Sequence, residues 1–440
     1  MARGGDEERV SLARSWLLVF ILTLAYTTSF IDRQVLNLLV EPLKADFDLS
    51  DTQLSLLQGL AFTSAYVLMS PIFGRLADTG SRRRVLIAAI LLWSVGTSLC
   101  GLARNYWQLF LARFGVGGAE AGLTPAAWSI IADSFPPHML PRALSVFLMG
   151  PYIGGGLAMI FGGLLLDAAA HWDLSGVPLL EGLKPWQLVF LAASAPGFLI
   201  AILFAFIREP VRRGVTQEDE GRMSSADMMA VFREQRAFYG NFYLGMSCLI
   251  VTLYAFPAWM PTVLIRRFGG AASDVGVQYG AAVLVAGSLG VLSGPWLASL
   301  FAKRGRSDNL MVVALIGASL LLPVSAGLWF VSDYGSALAL ATLASFLYSL
   351  PQAAASSALQ LATPNRMRGI ASSIYVFAAS VAGLGLAPTI VALLTDYLFV
   401  DDGRVGESLA LTCMVASGAA IFFIGRALRA YRQLVDQRAE

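Results

Sequence analysis

An acid and a base stand side by side in SFIDRQVLN, Ser29 to Asn37, inside an apolar run that extends from about Trp16 to Val40. A second pair, Arg113 and Glu120, lies in ARFGVGGAEAG, again among apolar residues. An ionised group in hydrocarbon costs at least about 2.5–3.5 kcal/mol, so these side chains are expected to turn from lipid toward one another and a wet cavity. A carboxylate next to a guanidinium can load or release a proton as distance or water access changes. A planar guanidinium can hold a carboxylate or phosphate through two parallel hydrogen bonds. The chemistry on offer is proton exchange linked to anion binding, with Asp32 and Glu120 as proton-coupling groups, Arg33 as the anion ligand and Arg113 as a charge partner.

Helix geometry sorts these groups. Arg113, Gly117 and Glu120 are spaced to share one helical stripe, and the small residue between the charges lets another helix approach closely. Asp32 and Arg33 are neighbours and point about 100° apart, so they serve different partners. Arg33 is expected to pair with Glu120, and Asp32 with a flanking polar group such as Arg113; the exchanged pairing fits the spacing equally well.

The elements that carry them follow from composition. The chain has 440 residues, 57% hydrophobic and only 14% charged, with a mean hydropathy of +0.67; a soluble domain is nearer a quarter charged. A membrane-crossing helix needs about 20 mainly apolar residues, because lipid cannot satisfy unpaired backbone. Twelve such runs are expected, near 16–40, 55–77, 85–103, 107–132, 143–166, 186–207, 238–263, 276–301, 310–331, 335–361, 369–395 and 406–427. The first run is too long, and lacks the cleavage site, for a removed signal peptide.

Most of the 31 Lys and Arg fall on one side of this topology; Lys44, Arg104, Lys184, Arg266, Arg267 and Arg404 mark the other. That asymmetry predicts a multi-pass protein of the cell membrane with both termini cytoplasmic, in the inner membrane if the source is bacterial. The net charge of +2 is no argument for nucleic acid as a partner. Cys100, Cys248 and Cys413 all fall within spans, so no disulfide framework is expected.

The halves repeat each other. Pro125 and Arg142 recur as Pro351 and Arg368, and LADTGSRR from Leu76 recurs as LASLFAKR from Leu297. The chain therefore divides into a six-helix bundle over 1–207, a charged cytoplasmic linker over 208–236 with a short amphipathic stretch after Ser224 or Ser225, and a second bundle over 237–440. Such duplication is how many secondary transporters are built, with substrate held between the halves. An intramembrane enzyme would need a nucleophile, base or metal set. His138 and His171 fall in loops, and no cofactor or metal is called for.

GRLADTGSRRRVL, Gly74 to Leu86, resembles the signature of the major facilitator superfamily, with Ser81 where the later glycine usually stands and Gly80 just before it. The resemblance implies an all-α membrane protein of twelve helices in two pseudo-symmetric bundles, the major facilitator fold. It also implies a cytoplasmic gate at Gly74, Asp78, Arg82 and Arg142, in which Asp78 latches the halves and the two arginines are candidate partners. Ser299 replaces Asp78 in the second copy, so the stronger latch is expected in the first half. IDR in the first span, LLQGLAFTSAYVLMSPIFGRLAD and ARFGVGGAEAGLTPAAWSIIADSFP together resemble the spinster lipid transporters, although GGAEAG departs from their usual Gly-Glu-Ala-Ser-Tyr. MGPYIGGG, Met149 to Gly156, partly matches an antiporter motif and predicts bending or close packing; SVAGLGLAP, Ser380 to Pro388, predicts a second pliable segment.

The expected activity is proton-coupled transport of an anionic amphipathic lipid by alternating access, with transport of a small organic anion such as a sugar acid as the alternative. Arg33 would hold the head group, and Tyr66, Tyr254, Tyr348, Gln352 and Tyr375 would line the path, with Phe62 and Trp259 in its walls. The expected partners are substrate, protons and membrane lipids, and a monomer suffices.

Overall fold

A computed structural model describes residues 2–136, 139–172, 181–207, 209–210, 225–364 and 367–439. Much of the sequence-predicted linker (208 and 211–224), His138 and the Asp78 side chain lie outside the described residues. The rest is helical, with no strand among the described residues. Among the described residues eleven helices are long and apolar enough to cross a membrane. The fourth expected span is present in two pieces, Tyr106–Glu120 and Leu123–Ser134, separated by a turn at Ala121 and Gly122. The chain thus breaks immediately after the buried Glu120.

Polar residues set the helix starts. Ser50 forms a reciprocal cap with Gln53, whose backbone N–H donates to Ser50 Oγ at 3.2 Å while its Oε1 accepts from the Ser50 N–H at 3.0 Å. Asn105 Oδ1 accepts from the Gln108 N–H at 2.9 Å, and Asp333 Oδ1 from that of Ser336 at 2.9 Å. Each satisfies an N–H that the first turn leaves without a partner.

The chain forms two compact units. The first comprises 1–49, 60–215 and 272–280; the second comprises 50–59, 216–271 and 281–440. In the first unit, Gly154 of the fifth span (Arg142–Ala170) sits against the Thr27 carbonyl and Phe30 of the first span (Leu12–Leu38), where a Cβ would collide. The helix from Gly150 to Ala170 is unbroken, so MGPYIGGG serves close packing here. Tyr26 stacks on Phe147 at 4.6 Å nearby.

One end of the first unit is closed by Arg82, whose side chain is only 1% exposed. Its Nε donates to Glu209 Oε1 at 3.0 Å, Nη1 to Ser129 Oγ at 2.9 Å and to Asp133, and Nη2 to the Pro210 carbonyl at 3.0 Å. Arg83 donates to the carbonyls of Phe204 and Ala205 in the last turn of the helix Pro185–Phe206, where Phe204 also accepts the Ile207 N–H.

The second unit has its own clasp. Asp308 carries a side chain 1% exposed, and its oxygens accept from Arg306 at 2.9 and 3.1 Å and from Arg432. Asp308 lies 226 positions after Arg82, the same shift that relates Pro125 to Pro351. Each clasp stands at the start of the helix that follows, Arg82–Gly101 and Asn309–Phe330, but with opposite charge, although the motif match itself aligns Arg82 with Lys303. Burial works to raise the Asp308 carboxyl, but the hydrogen bonds and charges of Arg306 and Arg432 outweigh it and hold the group below the ordinary carboxylate value. Because the folded group titrates below the unfolded one, its stabilisation is complete above about pH 4 and is lost as pH falls through the folded value. Asp308→Asn is expected to lower the thermal midpoint at neutral pH and to leave less acid-induced loss below pH ~4, read from unfolding scans at several pH values.

Residues 51 and 52 are held within the second unit. Arg266 donates to both Asp51 oxygens, at 2.6 and 2.8 Å, and the Thr52 N–H and hydroxyl donate to Asp396 Oδ2 at 2.7 and 2.6 Å. Wide π-helical turns occur at Leu56–Leu60, at Val283–Gly287 and at Ser380–Leu386 inside the pliable segment expected from sequence. Such turns often mark functional points in helices.

Candidate functional site

The fourth span reaches the second through a glycine. Gly117 lies against the backbone of Phe62, and a Cβ would run into the Phe62 carbonyl. This contact sets the stripe that carries Arg113 and Glu120 close to the second span, with Phe62 wholly buried between them.

Glu120 is the centre of the site. Its side chain is 0% exposed, and its Oε2 accepts from Arg33 Nε at 2.7 Å, from Arg33 Nη2 at 2.6 Å and from Ser29 Oγ at 2.6 Å. Oε1 has no hydrogen-bond partner. Ser29 precedes Arg33 by four residues, one helical turn, so both reach the same carboxylate. Arg33 is 11% exposed and is the member of the pair that reaches outward. Its guanidinium lies over three aromatic rings, Phe62 at 4.5 Å, Phe30 at 4.7 Å and Tyr66 at 5.5 Å.

Asp32 differs from expectation. Arg113, 1% exposed, donates from Nη1 to the main-chain carbonyl of Asp32 at 2.9 Å rather than to its carboxylate. Asp32 sits in the last turn of the helix Ala2–Gln34, where carbonyls lack intrahelical partners and compete for a donor. The Asp32 carboxylate is buried with the Thr97 hydroxyl as its hydrogen-bonding neighbour, and Arg113 Nε is buried without a partner. Asp32, Arg113 and Glu120 are therefore enclosed by protein rather than facing the wet cavity anticipated for them.

Of the expected path residues, Tyr66 is half-buried and stacks on Phe62 at 5.9 Å, beside Arg33. The other four belong to the second unit. Tyr348 is 2% exposed, and its hydroxyl donates to Ser345 Oγ at 3.0 Å; Tyr375 is buried against Phe242. Gln352 Nε2 donates to the Tyr348 carbonyl at 3.1 Å, and Tyr254 is half-buried. Trp259 is buried, its Nε1–H donating to the Pro388 carbonyl at 2.9 Å. Tyr348, Tyr375 and Trp259 thus act as packing in this conformation.

At the expected gate, Gly74 has open space around its Cα and Arg142 is exposed. Arg82 spends its guanidinium on Asp133 and Glu209, partners absent from the sequence-level picture. Burial alone would raise the Glu209 carboxyl, but hydrogen bonds from Ser81, Arg82 and Arg83 hold it below the ordinary value. His171 is exposed, in a turn. Among the described residues Asp51, Asp396 and Asp402 come close enough to share a cation, but Arg266 already neutralises Asp51 and Thr52 occupies Asp396.

Comparison with known proteins places this geometry in context. The profile of the Major Facilitator Superfamily matches residues 22–388. An MFS-type efflux pump of Mycolicibacterium smegmatis is 28% identical over 96% of this chain and 95% of its own. The sphingosine-1-phosphate transporter SPNS2 of Danio rerio is 27% identical over 69% of this chain and 60% of its own. Among solved structures, a bacterial homolog of the human lysosomal transporter spinster, in an inward-facing and unoccupied conformation, superposes with a TM-score of 0.78 at 25% identity, covering 96% of this chain and 97% of that one.

Proposed function

Because the chain belongs to the major facilitator superfamily, we propose that it is a proton-coupled transporter of an anionic amphipathic lipid, working by alternating access. Transport by a multi-pass, all-helical membrane protein, rather than enzymatic catalysis, is what family and fold establish. The finer reading rests on the Arg33–Glu120 pair, in which one carboxylate oxygen takes two donors from the same guanidinium and a third from Ser29.

An anion and Glu120 compete for Arg33. With Glu120 ionised, the guanidinium is neutralised; when Glu120 takes a proton, the charge on its partner is released for an anionic head group. Substrate binding and proton binding are then linked through one cation, and the reciprocity of linkage makes each favour the other. Asp32 supplies a second protonation site on the neighbouring face of the same helix. The expected division into two six-helix halves joined by the linker, with both termini cytoplasmic and the monomer as working unit, provides the frame in which the site is exposed to each side in turn.

A lipid is favoured over a sugar acid because the cation available for the head group is framed by aromatic rings, and because the second half of the sequence offers no mid-membrane cation for a polyanion. The spinster-like relatives add support, one of them being named as a sphingosine-1-phosphate transporter. Tyr66, beside Arg33, would border the head group, and Tyr254, Tyr348, Gln352 and Tyr375 stay as the path residues expected from the sequence. The test is uptake into proteoliposomes of labelled sphingosine 1-phosphate, a lysophospholipid and a sugar acid, each with and without a pH gradient. Saturable uptake of a lipid anion enhanced by the gradient is expected; uptake of the sugar acid alone would sink the lipid assignment.

A further inference from the structure

We propose that Phe62 is a positioning residue for Arg33: its ring holds the guanidinium in the anion-binding orientation when Glu120 is neutral and no longer pulls on it. This rests on the reading of Glu120 as the group that alternately binds and releases Arg33.

Phe62 differs from an ordinary core phenylalanine in what surrounds it. Two guanidinium groups lie near its ring, Arg33 at 4.5 Å and Arg113 at 5.7 Å from the centroid. A third neighbour, Tyr66, stacks on it at 5.9 Å. The ring is wholly buried, and its backbone is pressed by Gly117, which fixes it against the span that carries Arg113 and Glu120, the partner of Arg33. The electron-rich face of an aromatic ring attracts a cation, more strongly when water is excluded.

The consequence concerns the moment of exchange. If Glu120 alone held Arg33, protonation would free a long side chain to sample many rotamers, and anion binding would have to bear the cost of ordering it again. An attraction that does not titrate removes that cost, because it is present whether Glu120 is charged or neutral. Phe30 at 4.7 Å and Tyr66 at 5.5 Å contribute to the same cage. Phe62 is the nearest of the three rings and the one that faces both arginines.

The experiment reads Arg33 directly and needs no substrate. Full-length protein labelled with ¹³C,¹⁵N-arginine is placed in lipid nanodiscs, the Arg33 guanidinium signal is assigned by its loss in Arg33→Lys, and the rate of guanidinium rotation is measured in the Glu120→Gln chain, where the acid is permanently neutral. Adding Phe62→Leu is expected to raise that rate about twofold to thirtyfold, the range spanned by one cation–π contact. Replacing Phe62 by phenylalanine carrying one, two or three ring fluorines keeps its shape while draining the ring of charge, so the rate should climb step by step even if Phe62→Leu folds poorly. Phe62→Tyr should leave it near the parent value. Equal rates across the fluorinated series, or an Arg33 already rotating freely in Glu120→Gln with the native ring, would overturn the proposal. Failure of the proton reading is distinguishable, because it would appear as unchanged pH dependence of transport in Glu120→Gln while the ring effect on Arg33 persisted.

Discussion

Arg33→Ala is expected to cost about 3–5 kcal/mol of stability, most of it recovered when Glu120→Gln is added to the same chain. The argument turns on what is left behind. Glu120 has no exposed side-chain surface, and in the native protein three donors meet its Oε2, two of them from Arg33. Removing Arg33 leaves the Glu120 charge in a closed interior with Ser29 as its hydrogen-bond donor and Arg113 only as a more distant cation, and a poorly paired buried charge is far more costly than the pair is stabilising. Neutralising the acid removes that penalty, so the two changes are expected to be strongly non-additive. Arg33→Lys should fall between, since an ammonium keeps the charge but loses the planar fork that places Nε and Nη2 on one oxygen. Thermal unfolding of the four corners of the cycle, in the same lipid, measures the coupling. Additive losses would mean that the pair is incidental.

The second large effect is on transport. A carrier driven by protons accumulates substrate against a gradient only while substrate and proton binding are linked. In Glu120→Gln the site is fixed in its neutral form: an anion can still reach Arg33, but no proton is gained or lost with it. Accumulation driven by a pH gradient is expected to fall by more than about tenfold, whereas exchange of substrate down its own gradient continues. Asp32→Asn probes the neighbouring face. Asn keeps the shape of Asp32 and an oxygen for the Thr97 hydroxyl, so the substitution should disturb folding little while removing a second protonation site.

Much of the fold was legible because lipid imposes a coarse rule. Low charge and long apolar runs marked every span, including the fourth, but they concealed its break: Ala121 and Gly122 lie within an apolar stretch that nothing in the composition interrupts. Helix spacing left two pairings open around Asp32 and Arg33, and the structure holds one of them, Arg33 with Glu120. The fate of Asp32 was hidden because apolar residues continue past Gln34, so the sequence gives no sign that the regular helix ends there and frees the Asp32 carbonyl for Arg113. Ser29 could have been found by counting one turn back from Arg33. Phe62 was expected only as a wall of the path; an aromatic residue in an apolar span carries no mark that two cations flank it. The Asp308 clasp was missed for a different reason. The motif match aligns Arg82 with Lys303, and the centre of the second clasp is an acid five residues further on, where the polarity is reversed.

The central claim is that protons act through Glu120 and Asp32, and uphill uptake tests it most directly. Wild type, Glu120→Gln and Asp32→Asn are reconstituted at matched density, and accumulation of labelled sphingosine 1-phosphate is followed under an imposed pH gradient and after its collapse with a protonophore. The account predicts that the gradient raises accumulation in wild type, that Glu120→Gln shows no difference between the two conditions, and that Asp32→Asn is diminished. Accumulation in both variants that still follows the pH gradient as wild type does would contradict it.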